Sequence, residues 1–323
     1  MNAIILAGDR KSALPLHGMN KAFLLLEGWP IFIHVLTALN QSKSIETIYI
    51  IGHRKAIIEG IEKALPVFLF TKNIEVLEQK ESLIQNIVYA YGHASRSQDP
   101  VLFLPADIPL VTSEEIDAFI SMSDMNQYDY CLGVTSSEHL KRFYPKLNEP
   151  GIKMPYLYLK DNVYRMNNLH IARLSCQTAG SIIQTIYNHR RQNSIWNRIK
   201  MVLALLKADH GRSLLLSYLL AQCAVLLSRF GLHRIATLFR KPLSLDRVEK
   251  EFSSLLQMRF KAVETNMGGA ALDIDDESAY ETITLAFKKW HETLMPRQTE
   301  HGHEAACPFQ AKRYEMGGPA AVG

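Results

Sequence analysis

Acidic side chains follow two apolar segments that lie far apart in the chain. Asp107 ends the apolar run of VLFLPADIPL, where Pro105 and Pro109 fix the backbone on either side. Asp273 and Asp275 lie in the later segment ALDIDDES. A carboxylate at the carboxyl end of a parallel strand stands where open α/β sheets bind their ligands. Because Mg²⁺ on phosphate substrates is held by one or two carboxylates, these residues suggest a metal-assisted phosphate site.

Each acidic segment also has a purely structural interpretation. Asp107 could cap the turn after its strand, and the DIDD run could supply the acidic N-terminus of a helix that starts near Glu277. Alternation along an extended strand would point Asp273 and Asp275 to the same face. The residues alone leave both interpretations open.

The opening segment AIILAGDRKSALPLHGMNKAF has the order strand, loop and helix that often binds phosphate. Gly8 lies at the turn, and Lys21 follows the loop. Backbone N–H groups in such a loop can hold phosphate oxygens. Lys21 is therefore a candidate phosphate ligand, and its alternative is a solvated surface lysine.

The first half of the chain alternates between strand and helix patterns, which predicts an α/β fold with a mostly parallel central sheet and flanking helices. The expected strands include AIILA, TIYIIG, VLFLP and YDYCLGVTS. Ser82 is expected to cap one helix, and Thr112 with Glu115 to form the capping box of another. A strand pair should turn at Asp161–Asn162. ALDIDDESAYE should return to strand, turn and helix.

Helical patterns dominate the third quarter of the chain, so we expect a helical insertion in the α/β fold. The predicted divisions are an α/β core at 1–180, a helical insertion at 181–261, a strand–helix return to the core at 262–295 and a disordered tail at 296–323.

Composition restricts the classes of protein. Of the 323 residues, 47% are hydrophobic and 21% are charged, which is typical of a folded globular chain. The four cysteines have no paired spacing, and the start shows no signal peptide, so we expect reduced thiols and a cytoplasmic location. The longest uncharged apolar run, at 213–228, is shorter than the roughly 20 residues that span a bilayer.

Charge is distributed unevenly around the mild net value of +4. Residues 189–261 hold 14 Lys and Arg against 4 Asp and Glu. With their apolar helices, residues 181–261 suggest contact with anionic lipid or a hydrophobic substrate, so that the protein would be peripheral to a membrane. The alternative is a helical subdomain that covers the sheet or forms a homodimer. No nucleic-acid partner is expected.

Taken together, LAG…NKAFLLLEGWPIFIHVL…PADIPLVTSEEI…DIDDESAYE resembles the MobA-like NTP transferases of the nucleotidyltransferase superfamily, which have a glycosyltransferase-A-like, Rossmann-like fold. The resemblance covers residues 1–174 and 271–285. Its motifs are specific as a set and weak singly. In that family an LAGG loop wraps the NTP phosphates, and a lysine before an L-x-G-x-P stretch contacts them.

The resemblance implies a role for each matching position. The implied nucleotide-binding residues are Leu6, Ala7, Gly8, Lys11, Lys21, Gln79 and Ser82. The implied catalytic residues are Arg10, Lys21, Asp107 and Asp275, with Mg²⁺ on the two aspartates. Asp275 is preferred over Asp273 because it precedes the DESA turn. Asn167 or Asn168 takes the position of an asparagine near the acceptor.

The function implied is a Mg²⁺-dependent nucleotidyltransferase. It would move an NMP group from an NTP to a phosphorylated small-molecule acceptor and release pyrophosphate. Two alternatives stay open at this point: a sugar transferase of the same fold that uses DID as its metal motif, and a degenerate, non-catalytic nucleotide-binding protein.

Overall fold

The computed structural model describes residues 1–8, 18–95, 98–147, 149–174, 211–230 and 232–295. Arg10 and Lys11 therefore lie outside the described residues, as do the 296–323 tail and residues 181–210 of the expected helical insertion. The proposed domain divisions stay a prediction.

Eight strands of the described residues form one mixed, mostly parallel sheet. The strands in chain order are β1 (Asn2–Ala7), β2 (Leu25–Leu26), β3 (Trp29–Pro30), β4 (Thr47–Gly52), β5 (Asn73–Glu78), β6 (Val101–Pro105), β7 (Tyr130–Ser136), β8 (Leu157–Tyr158), β9 (Val163–Ala172) and β10 (Phe260–Thr265). The sheet order is β10-β7-β9-β6-β1-β4-β5, with β8 paired to β9, while β2 and β3 form a separate hairpin. Only the pairs that include β9 are antiparallel in the described sheet. The predicted fold class is confirmed.

Helices flank the sheet, and most of the described residues after β9 are also helical. They are α1 (Ile31–Gln41), α2 (Arg54–Ala64), α3 (Leu83–Ala94), α4 (Ser113–Met122), α5 (Ser137–Leu140), α6 (Gly211–Arg229), α7 (His233–Arg240), α8 (Leu245–Leu256) and α9 (Glu277–Leu294). None of the helices in the described ranges is long and apolar enough to cross a membrane.

The core lies on both faces of the sheet because the central strands are apolar at successive positions. Ile5 of β1 packs in the cluster that contains Phe32 of α1, and its neighbour Ile4 packs in the cluster that contains Tyr91 of α3. Successive side chains of a strand point to opposite faces, so this continuous apolar run requires helices on each side.

Two local predictions are corrected by the structure. The Thr112 hydroxyl caps α4 by accepting from the Glu115 N–H at 3.2 Å, but the Glu115 carboxylate does not complete a capping box. It accepts instead from the loop after β10. The strand expected in ALDIDDES is also wrong, because residues 272–275 form no strand, and the strand that precedes α9 is β10.

Other local predictions are confirmed. Ser82 caps α3 in a capping box with Gln85, and Asp276 caps α9 by accepting from the Ala279 N–H. The strand pair that turns at Asp161–Asn162 is the β8–β9 hairpin. Helices α6 and α8 lie over the β7–β10 side of the sheet, where Leu220 and Leu256 share an apolar cluster with Leu132.

Candidate active site

The two acidic segments of the sequence meet beyond the carboxyl end of β6. The Ile274 N–H donates to the Asp107 carbonyl oxygen at 3.0 Å. This backbone bond places the segment that carries Asp273 and Asp275 against the turn that carries Asp107. The structure therefore brings together the chain segments that carry Asp107 and Asp275, although they are far apart in sequence, and metal binding by the two side chains stays a prediction.

Lys21 lies at the same place. Its Nζ donates to the Asp275 carbonyl oxygen at 2.7 Å and is 3.8 Å from the Asp275 Oδ1 atom. The Lys21 side chain is 22% exposed, whereas that of Asp275 is 73% exposed. The Lys21 side chain is thus mostly buried beside Asp275, whose carboxylate is exposed to solvent.

Asn20 positions Lys21 relative to β1. Its Oδ1 accepts from the Ala22 N–H at 2.9 Å, which caps the short 3₁₀ turn Lys21–Phe23. Its Nδ2 donates to the Ala7 carbonyl oxygen at 3.0 Å. The side chain therefore fastens the end of the opening loop to the end of the first strand.

Arg165 of β9 holds the second acidic side chain. Its Nη2 donates to Asp273 Oδ1 at 2.6 Å, and its Nε donates to the Ala271 carbonyl oxygen at 2.8 Å. Loss of solvent around the carboxyl and the charge of Asp273 raise the pKa of Asp275, and the charges of Lys21 and Arg165 partly oppose this rise. Two carboxylates so close favour a cation between or beside them.

Of the predicted nucleotide-binding residues, Leu6, Ala7, Gly8 and Gln79 lie at the carboxyl ends of β1 and β5. A Cβ atom on Gly8 would lie 2.8 Å from Asn86 Nδ2 and 3.0 Å from Gln79 Oε1, so Gly8 sits directly against both amides. Asn86 of α3 is buried, and its Oδ1 accepts from the Lys80 N–H at 2.5 Å. Leu6 continues the strand, and its carbonyl oxygen accepts from the Ala106 N–H at 3.2 Å.

An open groove of about 930 Å³ adjoins this group. Gln79, Lys80, Gln85 and Tyr89 are among its lining residues, and Lys80 Nζ lies 3.9 Å from the centre of the Tyr89 ring. The hydroxyl of the predicted contact Ser82 accepts from the Gln85 N–H at 3.2 Å as the cap of α3. A mostly apolar groove with polar and aromatic side chains in its lining, at the end of parallel strands, suits a base and its ribose.

The predicted acceptor asparagines already have partners within the protein. Asn167 is buried, and its Nδ2 donates to Thr265 Oγ1 at 3.0 Å. Asn168 Nδ2 donates to the Ala270 carbonyl oxygen at 2.8 Å. Both side chains thus connect β9 to the segment that leads to Asp273, and acceptor binding by either stays a prediction.

Glu115 of α4 also holds the segment that leads to Asp273. Its carboxylate accepts from the Gly268 N–H at 3.0 Å and from the Ala270 N–H at 2.9 Å. Burial raises the pKa of Glu115, against the lowering effect of these hydrogen bonds and of Thr265. The loop before Asp273 and Asp275, which we call the acidic pair, is therefore anchored to the first turn of α4.

Four residues of the site were not identified from the sequence: Asn20, Asn86, Glu115 in this role, and Arg165. Asn20 had a usable signal, because Asn directly before a short helix is a common N-cap. Arg165 had none, since a single arginine in a strand carries no spacing that points to a partner 108 residues away.

Comparison with known proteins confirms the family resemblance of the motifs. Residues 3–226 match the family model described as the MobA-like NTP transferase domain. A 2-C-methyl-D-erythritol 4-phosphate cytidylyltransferase of Chlorobium phaeobacteroides (strain BS1) is 27% identical over 157 residues, which are 46% of this chain and 61% of that protein. The enzyme of that name from Prosthecochloris aestuarii is 24% identical over 143 residues, which are 42% of this chain and 57% of that one.

These matches extend over only about six-tenths of the length of the curated relatives. Among solved structures, a hypothetical transferase from Thermus thermophilus superposes with a TM-score of 0.55 at 21% identity, over 86% of this chain and 98% of that one. That likeness shows a shared fold.

Proposed function

The chain belongs to the family of MobA-like NTP transferase domains, and we propose that it is a Mg²⁺-dependent nucleotidyltransferase. It would move an NMP group from an NTP to a phosphorylated small-molecule acceptor and release pyrophosphate. The observation that carries this proposal is the contact of Lys21 Nζ with Asp275 beside the Asp107 turn. The ammonium of Lys21 and the carboxylates of Asp107 and Asp275, near the carboxyl end of β6, support a site for a metal-bound polyphosphate.

The donor set fits Mg²⁺. Asp107 and Asp275 are the proposed ligands, and no three His, Cys, Asp or Glu side chains of the described ranges cluster as a larger ligand set. Mg²⁺ usually takes one or two carboxylates and completes its shell with water and substrate phosphate. When bound, the ion would neutralise phosphate charge and orient the α-phosphate for attack.

The protein residues would do the positioning in this reaction. An anionic acceptor phosphate needs no general base, so an oxygen of the acceptor attacks the α-phosphorus in line and pyrophosphate leaves. Lys21 would stabilise the charge of the leaving pyrophosphate, since its ammonium is fixed at the edge of the acidic pair. Gly8 lies directly against Asn86, where a side chain would collide, and its backbone would contact the phosphates.

The names of the curated relatives suggest where to begin with substrates. Both are cytidylyltransferases named for a 4-phosphate of a branched polyol. We propose CTP as the first nucleotide to test and phosphorylated polyols and sugars as the first acceptors. Gln79 and Ser82 would contact the nucleotide beside the groove along α3.

The decisive experiment measures pyrophosphate release from each of the four NTPs with Mg²⁺ and a panel of phosphorylated polyols, sugars and cofactor precursors. Mass spectrometry of the products identifies the transferred group. Asp107→Asn should lower the best rate by about 100-fold or more, because it removes a charged metal ligand. Asp124→Asn is the control, since Asp124 is exposed and lies beyond the end of α4, in the loop that enters β7.

Each other result would contradict the proposal. Full turnover by Asp107→Asn would show that the Asp107 carboxylate is not a required metal ligand. Release of a nucleoside diphosphate from a nucleotide-sugar, without pyrophosphate from any NTP, favours the sugar transferase. Calorimetric binding of an NTP with no turnover across the panel favours a non-catalytic nucleotide-binding protein.

A further inference from the structure

Helix α6 carries a stripe of exposed apolar side chains along one side. Leu216, Leu219, Cys223 and Leu226 are exposed and recur at intervals of three and four residues, and Phe230 continues the series just after the helix. Residues at this spacing share one face of a helix. Phe230 is 74% exposed, which is unusual for a phenylalanine in a folded chain.

The opposite side of α6 is the side that packs on the protein. Ser217 and Ala224 are buried, and Ser217 Oγ donates to Glu251 Oε1 of α8 at 2.8 Å. Leu220 and Ala221 contribute to the cluster under the β7–β10 side of the sheet. The exposed stripe therefore cannot be the core face of this helix.

The next helix, α7, contacts α6 and also carries exposed apolar side chains. Leu232, Ile235 and Leu238 are all exposed in and just before α7. We define the α6–α7 apolar surface as Leu216, Leu219, Leu226, Phe230, Leu232, Ile235 and Leu238. Clustered exposure of so many large apolar side chains is typical of an interaction surface rather than of ordinary solvated protein.

The charge of this segment indicates what kind of surface would cover it. From Gly211 to Leu245 the sequence has no Asp or Glu, and it has five basic residues: Arg212, Arg229, Arg234, Arg240 and Lys241. A second copy of the chain would bring an equal set of positive charges to the contact without acidic partners from this segment. An anionic lipid surface offers negative headgroups and an apolar layer together.

We propose that the α6–α7 apolar surface binds peripherally to membranes that contain anionic lipid, with the apolar side chains in the interfacial layer. The basic composition of residues 211–245, which include no acidic residue, favours anionic headgroups over neutral ones. This inference is independent of nucleotide transfer. Its test uses lipid alone, and it stands or falls separately from the proposed function.

The experiment is co-sedimentation of the full chain with phosphatidylcholine vesicles that contain or lack phosphatidylserine. Binding should require phosphatidylserine and should weaken as salt is raised, because headgroup charge is screened. The double variant Leu226→Ser with Phe230→Ser should bind at least about tenfold more weakly, since it removes two large apolar side chains from the contact.

Matched controls separate this surface from general hydrophobicity. Leu69 and Leu285 are exposed apolar residues outside α6 and α7. The double variant Leu69→Ser with Leu285→Ser removes a similar exposed apolar area and should bind like the wild type. If Leu226→Ser with Phe230→Ser does not fold, Arg229→Gln with Arg234→Gln gives a second test, with an expected loss of roughly tenfold on anionic vesicles.

Cys223 supplies a local probe because it is exposed within the stripe, whereas Cys131 is buried. An environment-sensitive fluorophore on Cys223, in a chain with Cys176→Ser and Cys307→Ser, should shift to shorter wavelength when anionic vesicles are added. If the emission wavelength is already short without vesicles and does not change when they are added, another part of the chain covers the stripe. That result would overturn the proposal.

Three further outcomes would also overturn it. Equal binding to vesicles with and without phosphatidylserine contradicts the anionic preference. No sedimentation with either vesicle removes lipid as the partner. A dimer in light scattering that Leu226→Ser with Phe230→Ser converts to monomer, without lipid binding by the wild type, assigns the surface to a second copy.

Discussion

Arg165 illustrates how single residues organise the candidate site. It donates to Asp273 and to the Ala271 carbonyl oxygen, and both charged side chains are mostly buried, at 12% and 18% exposure. A guanidinium can make two directed hydrogen bonds that a lysine ammonium cannot reproduce with the same geometry. Arg165 therefore fixes both the position of the acidic segment and the direction of one carboxylate.

We expect a double-mutant cycle of Arg165→Met and Asp273→Asn to give a coupling free energy of about 1–3 kcal/mol in urea unfolding, because the pair is charge-assisted and partly desolvated. The comparison cycle uses Arg259 and Asp129, whose side chains are 55% and 27% exposed. That pair should couple more weakly, because solvent screens its charges. Equal coupling free energies in the two cycles would show that the Arg165–Asp273 pair is no stronger than an exposed ion pair.

The sequence allowed the acidic residues and Lys21 to be proposed because their types and neighbours carry chemical meaning on their own. It did not reveal Arg165 or Glu115 in their roles, because each acts through a partner that only the folded chain brings near. Glu115 shows the difficulty most clearly: its spacing from Thr112 is that of a capping box, yet tertiary contacts take its carboxylate elsewhere. The alternation of apolar and polar residues and the capping residues predict single helices and strands well. They do not predict the pairing of β10 with β7, because these strands are about 130 residues apart in the chain.

At the scale of elements, the loop between β10 and α9 determines where the acidic pair lies. Gly268 has a φ of +87°, a conformation that favours glycine, and it lets the chain turn sharply out of the sheet. The N–H groups of Gly268 and Ala270 then point to Glu115 of α4. The position of the candidate site thus depends on a helix that contributes no side chain to the acidic pair.

Replacement of this anchor should loosen the loop. Glu115→Ala leaves two buried N–H groups without their acceptor, so we expect a loss of about 2–5 kcal/mol in the free energy of unfolding. Hydrogen exchange should also accelerate in peptides that cover residues 266–275. Glu114→Ala is the control because it removes a neighbouring charge from the same first turn of α4; a similar effect of both variants would assign the loss to the helix terminus instead.

At the scale of the whole molecule, α9 connects the end of the described chain to its beginning. Tyr280 donates its hydroxyl to the Leu25 carbonyl oxygen at 2.6 Å, and Phe287 packs against His34 of α1 with ring centres 5.0 Å apart. His34 Nε2 lies 2.9 Å from the Leu26 carbonyl oxygen, which can only accept, so Nε2 carries the proton. A neutral, buried histidine therefore lies where α1, α9 and the β2–β3 hairpin meet.

This histidine should make stability depend on pH. Burial lowers the pKa of His34 from 6.5 to about 4, against the raising effect of its bond to Leu26. Between these values the unfolded chain takes up a proton that the folded chain does not, so stability is full above pH 6.5 and falls as the pH is lowered towards 4. The maximal contribution is about 3 kcal/mol.

His34→Gln keeps a donor for the Leu26 carbonyl oxygen and removes the titration, so its free energy of unfolding should change less between about pH 7 and pH 4.5 than that of the wild type. Urea unfolding at the two pH values measures the difference. His53→Gln, at an exposed position before α2, should keep the wild-type dependence. An unchanged slope in His34→Gln would show that other groups cause the acid sensitivity.

The contact between Lys21 and Asp275 spans 254 residues of sequence, and this separation has a consequence for how the protein is made. During synthesis at about 5–20 residues per second, roughly 13–50 seconds pass between the addition of Lys21 and that of Asp275. Over that interval β1, β4, β5 and β6 can already pair on the ribosome. The nascent sheet would therefore exist before Asp273 and Asp275 are added, and the contact between Lys21 and Asp275 could not form until translation had passed Asp275.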